Sequence, residues 1–196
     1  MARTQSENYP EIRLGILAVS ASLFARLGYA TTTIADLAAA NGISRGLLYH
    51  YFASKEALLS EMLQAHLDML LAEIRASARD GTTPEDRLRN SVRKMVAINA
   101  GSKDLQIVLL HDLQNLQVEE REAIVGKQKD ILAVVAELIR DCDHRRKYDR
   151  RQLKAQTMLF MGMINYTYLW YDPKGPVGPA EYADMVADTY LAGLAA

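Results

Sequence analysis

Apolar side chains return along most of this chain every three to four residues, the spacing that lays them on one face of an α-helix. The first run holds Ile12, Ile16, Leu17, Val19, Leu23, Phe24 and Leu27. It opens at Pro10 and Glu11, which suit a first helical turn, and stops at Gly28. Two short runs follow. Thr33 can cap the first, whose Ile34, Leu37 and Ala38 share a face; Asn41-Gly42 ends it, because both residues tolerate a left-handed turn. Ile43 plugs the core, and Ser44 caps the second run, Arg45 to Tyr51. Its Leu48, with Phe52 beyond it, points inward, while Arg45, Gly46, Leu47, Tyr49 and His50 face out. Ser54-Lys55-Glu56 starts a long helix that carries Leu58, Met62, Leu63, Leu67, Leu70 and Ile74 to about Arg79. Gly81 to Pro84 breaks it, with Thr82 or Thr83 as the next cap.

The same reading predicts helices over about 85–99, 103–116, 118–142, 151–171 and 180–194. The charged run 141–151 reads as a solvated turn. The chain is therefore expected to be all-α, with about nine helices. A three-helix helix-turn-helix domain is expected over residues 1–55, and a second helical domain over 56–196. Two short helices joined by a tight turn, the second with a polar and aromatic outer face, match a DNA-reading helix-turn-helix. Helical hairpins with an Asn-Gly turn that never touch DNA are also common, so spacing alone leaves both readings open.

Composition narrows the class. Apolar residues make up 49% and charged residues 24%, enough to bury a core, and β-branched runs are absent. The formal net charge of −1 gives no global attraction to DNA. A weak local positive face remains in Arg3, Arg13, Arg26, Arg45 and Lys55, set against Glu7, Glu11 and Asp36. The single cysteine, Cys142, cannot close an internal disulfide, and no leader-like segment is visible, so a reducing cytoplasm is expected. The most apolar window, 158–171, holds Asn165 and three tyrosines and is too short for a membrane span.

The order of residues says more than their spacing. From Phe24 through Leu59 the chain runs FARLGYATTTI, then GISRGLLYHYF, then SKEALL. This resembles the DNA-binding signature of the TetR family of one-component bacterial regulators. The resemblance implies a repressor whose paired recognition helices read a palindromic double-stranded operator. Arg45 would read a guanine edge with two hydrogen bonds, Gly46 would admit the backbone close to the groove, and Leu47 would touch a thymine methyl. Tyr49 and His50 would reach phosphates or bases. Thr33, Ser44 and Lys55, at helix N-termini, would hold phosphates.

Nothing after residue 85 reads as catalytic. His50, His66, His111 and His144 are dispersed, and none has metal-ligand spacing with Cys142. No phosphate loop, dinucleotide fingerprint or nucleophile elbow occurs. No catalytic residue, metal or cofactor is expected, and the chain is not expected to be an enzyme. Polar and soft side chains do lie inside the apolar helices: Met95 and Asn99; Leu110, His111 and Gln114; Phe160, Met163, Asn165, Tyr166 and Trp170. They can be plain core with satisfied hydrogen bonds. An apolar cavity with a few placed polar groups looks the same in sequence.

Here the TetR resemblance implies an effector pocket. The segment WYDPKGP, 170–176, is similar to a WYxPxGP element in TetR-type repressors of fatty-acid, steroid and aromatic-acid breakdown, which respond to acyl-CoA thioesters. That implies an acyl-CoA or other lipophilic acid derivative as effector. Residues 155–171 carry no Lys or Arg for a CoA phosphate, so a contact would have to come from Arg93, Lys94, Lys103 or a partner chain. By the same resemblance the last two helices pair in a homodimer. Leu159, Gly162 and Leu169, with Tyr182, Val186, Tyr190 and Leu194, are the expected face, although the aromatics can equally be intrachain core. A helical adaptor that binds protein, or an enzyme using the C-terminal pocket, is the alternative.

Overall fold

Side-chain hydrogen bonds decide where most of the helices begin. Thr33 Oγ1 accepts from the Asp36 amide at 3.2 Å while the Asp36 carboxylate accepts from the Thr33 amide at 2.9 Å, a reciprocal cap. Thr83 and Asp86 repeat it, as do Asp149 and Gln152. Ser44 and Ser54 each accept from the amide three residues on. Gly28 and Gly42, at φ +84° and +64°, turn the chain out of the two helices that precede them.

The computed structural model describes residues 9–145 and 147–195, and no strand occurs among them. The helices are α1 Tyr9–Leu27, α2 Ile34–Ala40, α3 Arg45–Tyr51, α4 Lys55–Ser77, α5 Pro84–Gly101, α6 Lys103–His111, α7 Val118–Cys142, α8 Arg150–Asn165, α9 Thr167–Trp170 and α10 Pro179–Ala195. Arg3 and Glu7, placed in the positive face from the sequence, lie outside the described residues.

Two boundaries differ from the periodicity. The sixth helix ends at His111 because the chain tightens into a 3-10 turn over Leu113–Asn115. The expected helix over 151–171 breaks at Tyr166. There the Ile164 carbonyl is taken by the Thr167 hydroxyl at 2.8 Å and by the Asn99 amide at 3.4 Å, so side chains compete with the backbone ladder.

α1 buries Ile16, Leu17, Leu23 and Phe24. Ile12, Val19 and Leu27, expected in the same stripe, are instead exposed, because an apolar face wider than the contact leaves its margins in solvent. α4 packs against α7 and α5, α5 against α10, and α1 against α6. The Arg13 guanidinium ties three elements together. It grips both carboxylate oxygens of Glu61 on α4, donates to the Tyr51 carbonyl at the end of α3 at 2.8 Å, and lies 4.6 Å over the Phe52 ring.

The expected subunit face on α10 needs correction. Val186, Tyr190 and Leu194 are buried in the chain's own core. The Tyr190 ring meets Phe160 edge-on at 4.8 Å, and its hydroxyl donates to Gln156 at 3.3 Å. Tyr182 is half-buried and donates to the Met163 carbonyl at 2.6 Å. α10 is apolar or small on both sides, and packing against α5 chose the tyrosine side. Its outer side carries Met185, Thr189 and Ala192.

Candidate functional site

The outer face of α3 is as the sequence predicts. Leu48 and Tyr51 are buried, which turns Arg45, Gly46, Leu47, Tyr49 and His50 to solvent. Of these, His50 is held from behind: it meets Tyr9 edge-on at 6.1 Å, and the buried Tyr51 stacks on the same Tyr9 ring at 4.7 Å. Thr33 and Ser44 are exposed at the starts of α2 and α3, and their hydroxyls accept the cap hydrogen bonds.

Lys55 is a correction. Its ammonium donates to the carbonyls of Tyr29 and Thr32 at 2.8 and 2.9 Å and sits 4.1 Å from the Tyr29 ring centre. A lysine held by two backbone carbonyls is a brace for the α1–α2 turn rather than a free phosphate clamp. With Arg13 also bound inside, the positive face expected from the sequence reduces, among the described residues, to Arg26 and Arg45. Lys55→Met should therefore act on stability. Losing charge-assisted hydrogen bonds costs about 2 kcal/mol, which for a chain of this size lowers the melting temperature by roughly 4–8 °C. A normal melting curve with a shallower salt dependence of DNA binding would restore the phosphate role.

A cavity of about 290 Å³ lies in the C-terminal half. α4 supplies His66, Leu67 and Leu70, and α5 supplies Asn99. α6 supplies Gln106, Leu109 and Leu110, and α7 supplies Gln128, Ile131 and Leu132. α8 closes it with Met158, Met161 and Asn165. The wall is mostly apolar, with five uncharged polar side chains and no Lys, Arg, Asp or Glu. Burial holds the His66 imidazole below its ordinary pKa, so it is neutral at pH 7.

Of the ten side chains expected to line a pocket, Asn99, Leu110 and Asn165 do. Met95 and Phe160 are fully buried core, and Met163 packs on that core. His111, the last residue of α6, and Gln114, in the 3-10 turn beyond it, are both exposed, because the helix stops there. Tyr166 is exposed too. Trp170 is 61% exposed and leans on Tyr182 at 5.5 Å, outside the cavity. The segment after it is a brace: the Tyr171 hydroxyl donates to the Val177 carbonyl at 3.0 Å and closes the loop before α10. Arg93 and Lys94, named for a CoA phosphate, pair with Asp184 at 2.8 Å and Glu73 at 3.0 Å.

Sequence reasoning missed the walls from α4 and α7. A signal was present, since His66 falls in register with Met62, Leu63, Leu67 and Leu70 on the buried stripe of α4. A polar side chain in an apolar register is what borders a ligand site.

α6 joins this cavity to the helix-turn-helix. One side of it forms the wall; the other lies along α1. At its start Asp104 accepts from Ser22 of α1. Just past its end the Asp112 carboxylate meets the Tyr29 backbone amide, and burial raises the pKa of that acid.

On a face of α8 and α9 away from the cavity, Leu159, Gly162, Tyr166, Leu169 and Trp170 are exposed at helical spacing. Contiguous apolar surface of that kind on one chain marks an interaction site.

Known proteins share this fold. Residues 16–62 match bacterial regulatory proteins of the tetR family, and residues 81–194 match the tetracyclin repressor-like C-terminal domain. A stretch of 74 residues is 40% identical to the HTH-type transcriptional repressor KstR2 of Mycobacterium tuberculosis, covering 38% of this chain and 37% of that one. The chain thus spans little more than a third of the length of that curated relative. A TetR-family transcriptional regulator from Bordetella parapertussis has the same fold, with a TM-score of 0.88 and 37% identity over 93% of this chain and 95% of that one. AibR, solved in complex with isovaleryl coenzyme A and operator DNA, is alike in fold, with a TM-score of 0.78 at 24% identity over 91% of this chain and 97% of that one.

Proposed function

The chain belongs to the tetR family of bacterial regulatory proteins, and from that premise we propose that it is a homodimeric transcriptional repressor released from a palindromic operator by a small lipophilic effector. Residues 1–55 are the DNA-binding domain in this reading, and 56–196 sense the effector and dimerise. Two copies of α3 about 34–36 Å apart enter successive major grooves of one operator. Arg45 reads a base edge, Leu47 touches a methyl, and Tyr49 and His50 reach the backbone or neighbouring bases. Thr33 and Ser44 seat phosphates.

The observation that carries the proposal is the shared use of α6. Gln106, Leu109 and Leu110 line the cavity, while Asp104 accepts from Ser22 of the DNA-binding domain and Asp112, next after the helix, lies by the Tyr29 backbone. A ligand that displaces α6 must move α1 and, through Arg13, the end of α3. It releases DNA to the extent that it prefers the moved state. The strip around Leu159 and Gly162, joined by Met185 and Ala192 of α10, is the dimer face.

The uncharged, largely apolar wall favours an acyl chain or ring. The isovaleryl coenzyme A held by AibR supports trying thioesters first. In a gel shift, DNA from upstream of the chain's own gene should bind this protein as a dimer. Titrating that complex with paired acyl-CoA thioesters and free acids should release it with the thioesters. Release by free acids or neutral lipophiles alone would remove the CoA moiety and keep the sensor, and a protein that binds no DNA would end the proposal.

A further inference from the structure

Two residues that line the cavity each carry a buried polar atom without a partner. His66 Nδ1 and Gln106 Oε1 are buried and accept or donate no hydrogen bond within the chain. Their side chains line the same cavity from α4 and α6, and the two residues are only 4% and 7% exposed. Buried polar groups in native proteins are nearly always satisfied, so an orphan pair at a cavity wall calls for an occupant.

The chemistry of that occupant follows from the pair. The carboxamide oxygen can only accept, so something must donate to it. A neutral imidazole carries one proton, which it can place on Nδ1 and donate. A carboxylate offers no donor, and the wall has no cation to offset its charge. With the Gln106 oxygen facing it, a ketone satisfies His66 alone, and it reaches both groups only if that amide is turned end for end. A hydroxyl donates and accepts through one atom, and it still pairs with both groups if the Gln106 amide is turned end for end.

We infer that the cavity selects an effector that places one uncharged hydroxyl between His66 and Gln106, with an apolar body against Leu67, Leu70, Ile131 and Leu132. This rests on the cavity being the effector site. It adds that specificity comes from this pair, and that a hydroxylated ring or acyl chain is preferred over its plain, keto or carboxylate counterpart.

The test uses the full-length protein and four probes with one skeleton: 4-ethylcyclohexanol, 4-ethylcyclohexanone, ethylcyclohexane and 4-ethylcyclohexanecarboxylate. Calorimetric titration at pH 7.5 should rank the alcohol first, at least about tenfold tighter than the hydrocarbon, with the carboxylate last. Gln106→Leu and His66→Leu should each keep hydrocarbon binding, which shows the cavity intact, and lose most of the preference for the alcohol. Equal binding of alcohol and hydrocarbon by the natural protein overturns the inference and leaves the effector site standing. So does a preference that survives in Gln106→Leu, a variant that serves even if His66→Leu does not fold. If none of the four probes binds, the cavity is not the effector site, and both readings fall.

Discussion

Leu159→Glu should leave the chain folded and abolish operator binding. The side chain is 65% exposed on α8 and lies in the strip with Gly162, Tyr166 and Leu169. An exposed substitution shifts monomer stability by about 0.5 kcal/mol or less. In a two-fold dimer the same change enters twice, at a self-complementary surface. Two buried and unpaired carboxylates would each cost several kcal/mol, far beyond what a few lost leucine contacts would. The monomer would keep one α3 and lose the second half-site. Specific affinity should then collapse toward the non-specific level, a drop of about a thousandfold or more. Sedimentation with circular dichroism would read assembly and fold together, and fluorescence anisotropy would read the operator. A normal dimer would place the interface elsewhere. The same change at Tyr190 is no substitute test, because that ring is only 8% exposed and packs on Phe160 in the core.

Arg45→Ala should also spare the fold, for Arg45 is exposed at the start of α3 and the cap there belongs to Ser44. A bidentate arginine contact to guanine discriminates by about 1–3 kcal/mol. A dimer loses it in both half-sites, so operator affinity should fall by about 2–6 kcal/mol, roughly 30-fold to 25,000-fold. Random DNA should be affected far less, and selectivity should relax at one base pair in each half-site. Operator variants in a competition assay would locate that base pair. An equal loss on specific and random DNA would make Arg45 a phosphate contact. Since Arg13 and Lys55 are bound inside the fold, Arg45 carries more of the local positive charge than the sequence suggests.

The helix-turn-helix was legible residue by residue because its determinants are local. Thr33 finds Asp36 three residues away, Ser44 finds the Leu47 amide, and Gly42 turns the chain between them. Bonds of that reach depend on little outside one turn of helix, so composition and order specify them. The outward set on α3 follows, since burying Leu48 fixes the azimuth of everything else on a seven-residue helix.

The cavity and the far side of α10 could not be read that way. Five helices meet at the cavity, and three of its five polar members, His66, Gln106 and Gln128, come from helices whose mutual rotation no local signal sets. α10 offers Tyr190 on one side and Met185 on the other, both able to be buried, and only the fit against α5 and Phe160 decided between them. Lys55 likewise had a helix start to serve and a phosphate to hold, until the carbonyls of Tyr29 and Thr32 closed around it. The sequence by itself determined the helix-turn-helix, its caps and the outward-facing residues of α3, because short-range hydrogen bonds and periodicity carry that information. Which charges are spent inside, which face of a two-sided helix is hidden and what lines the cavity were decided by tertiary packing, because those depend on surfaces that meet across many tens of residues.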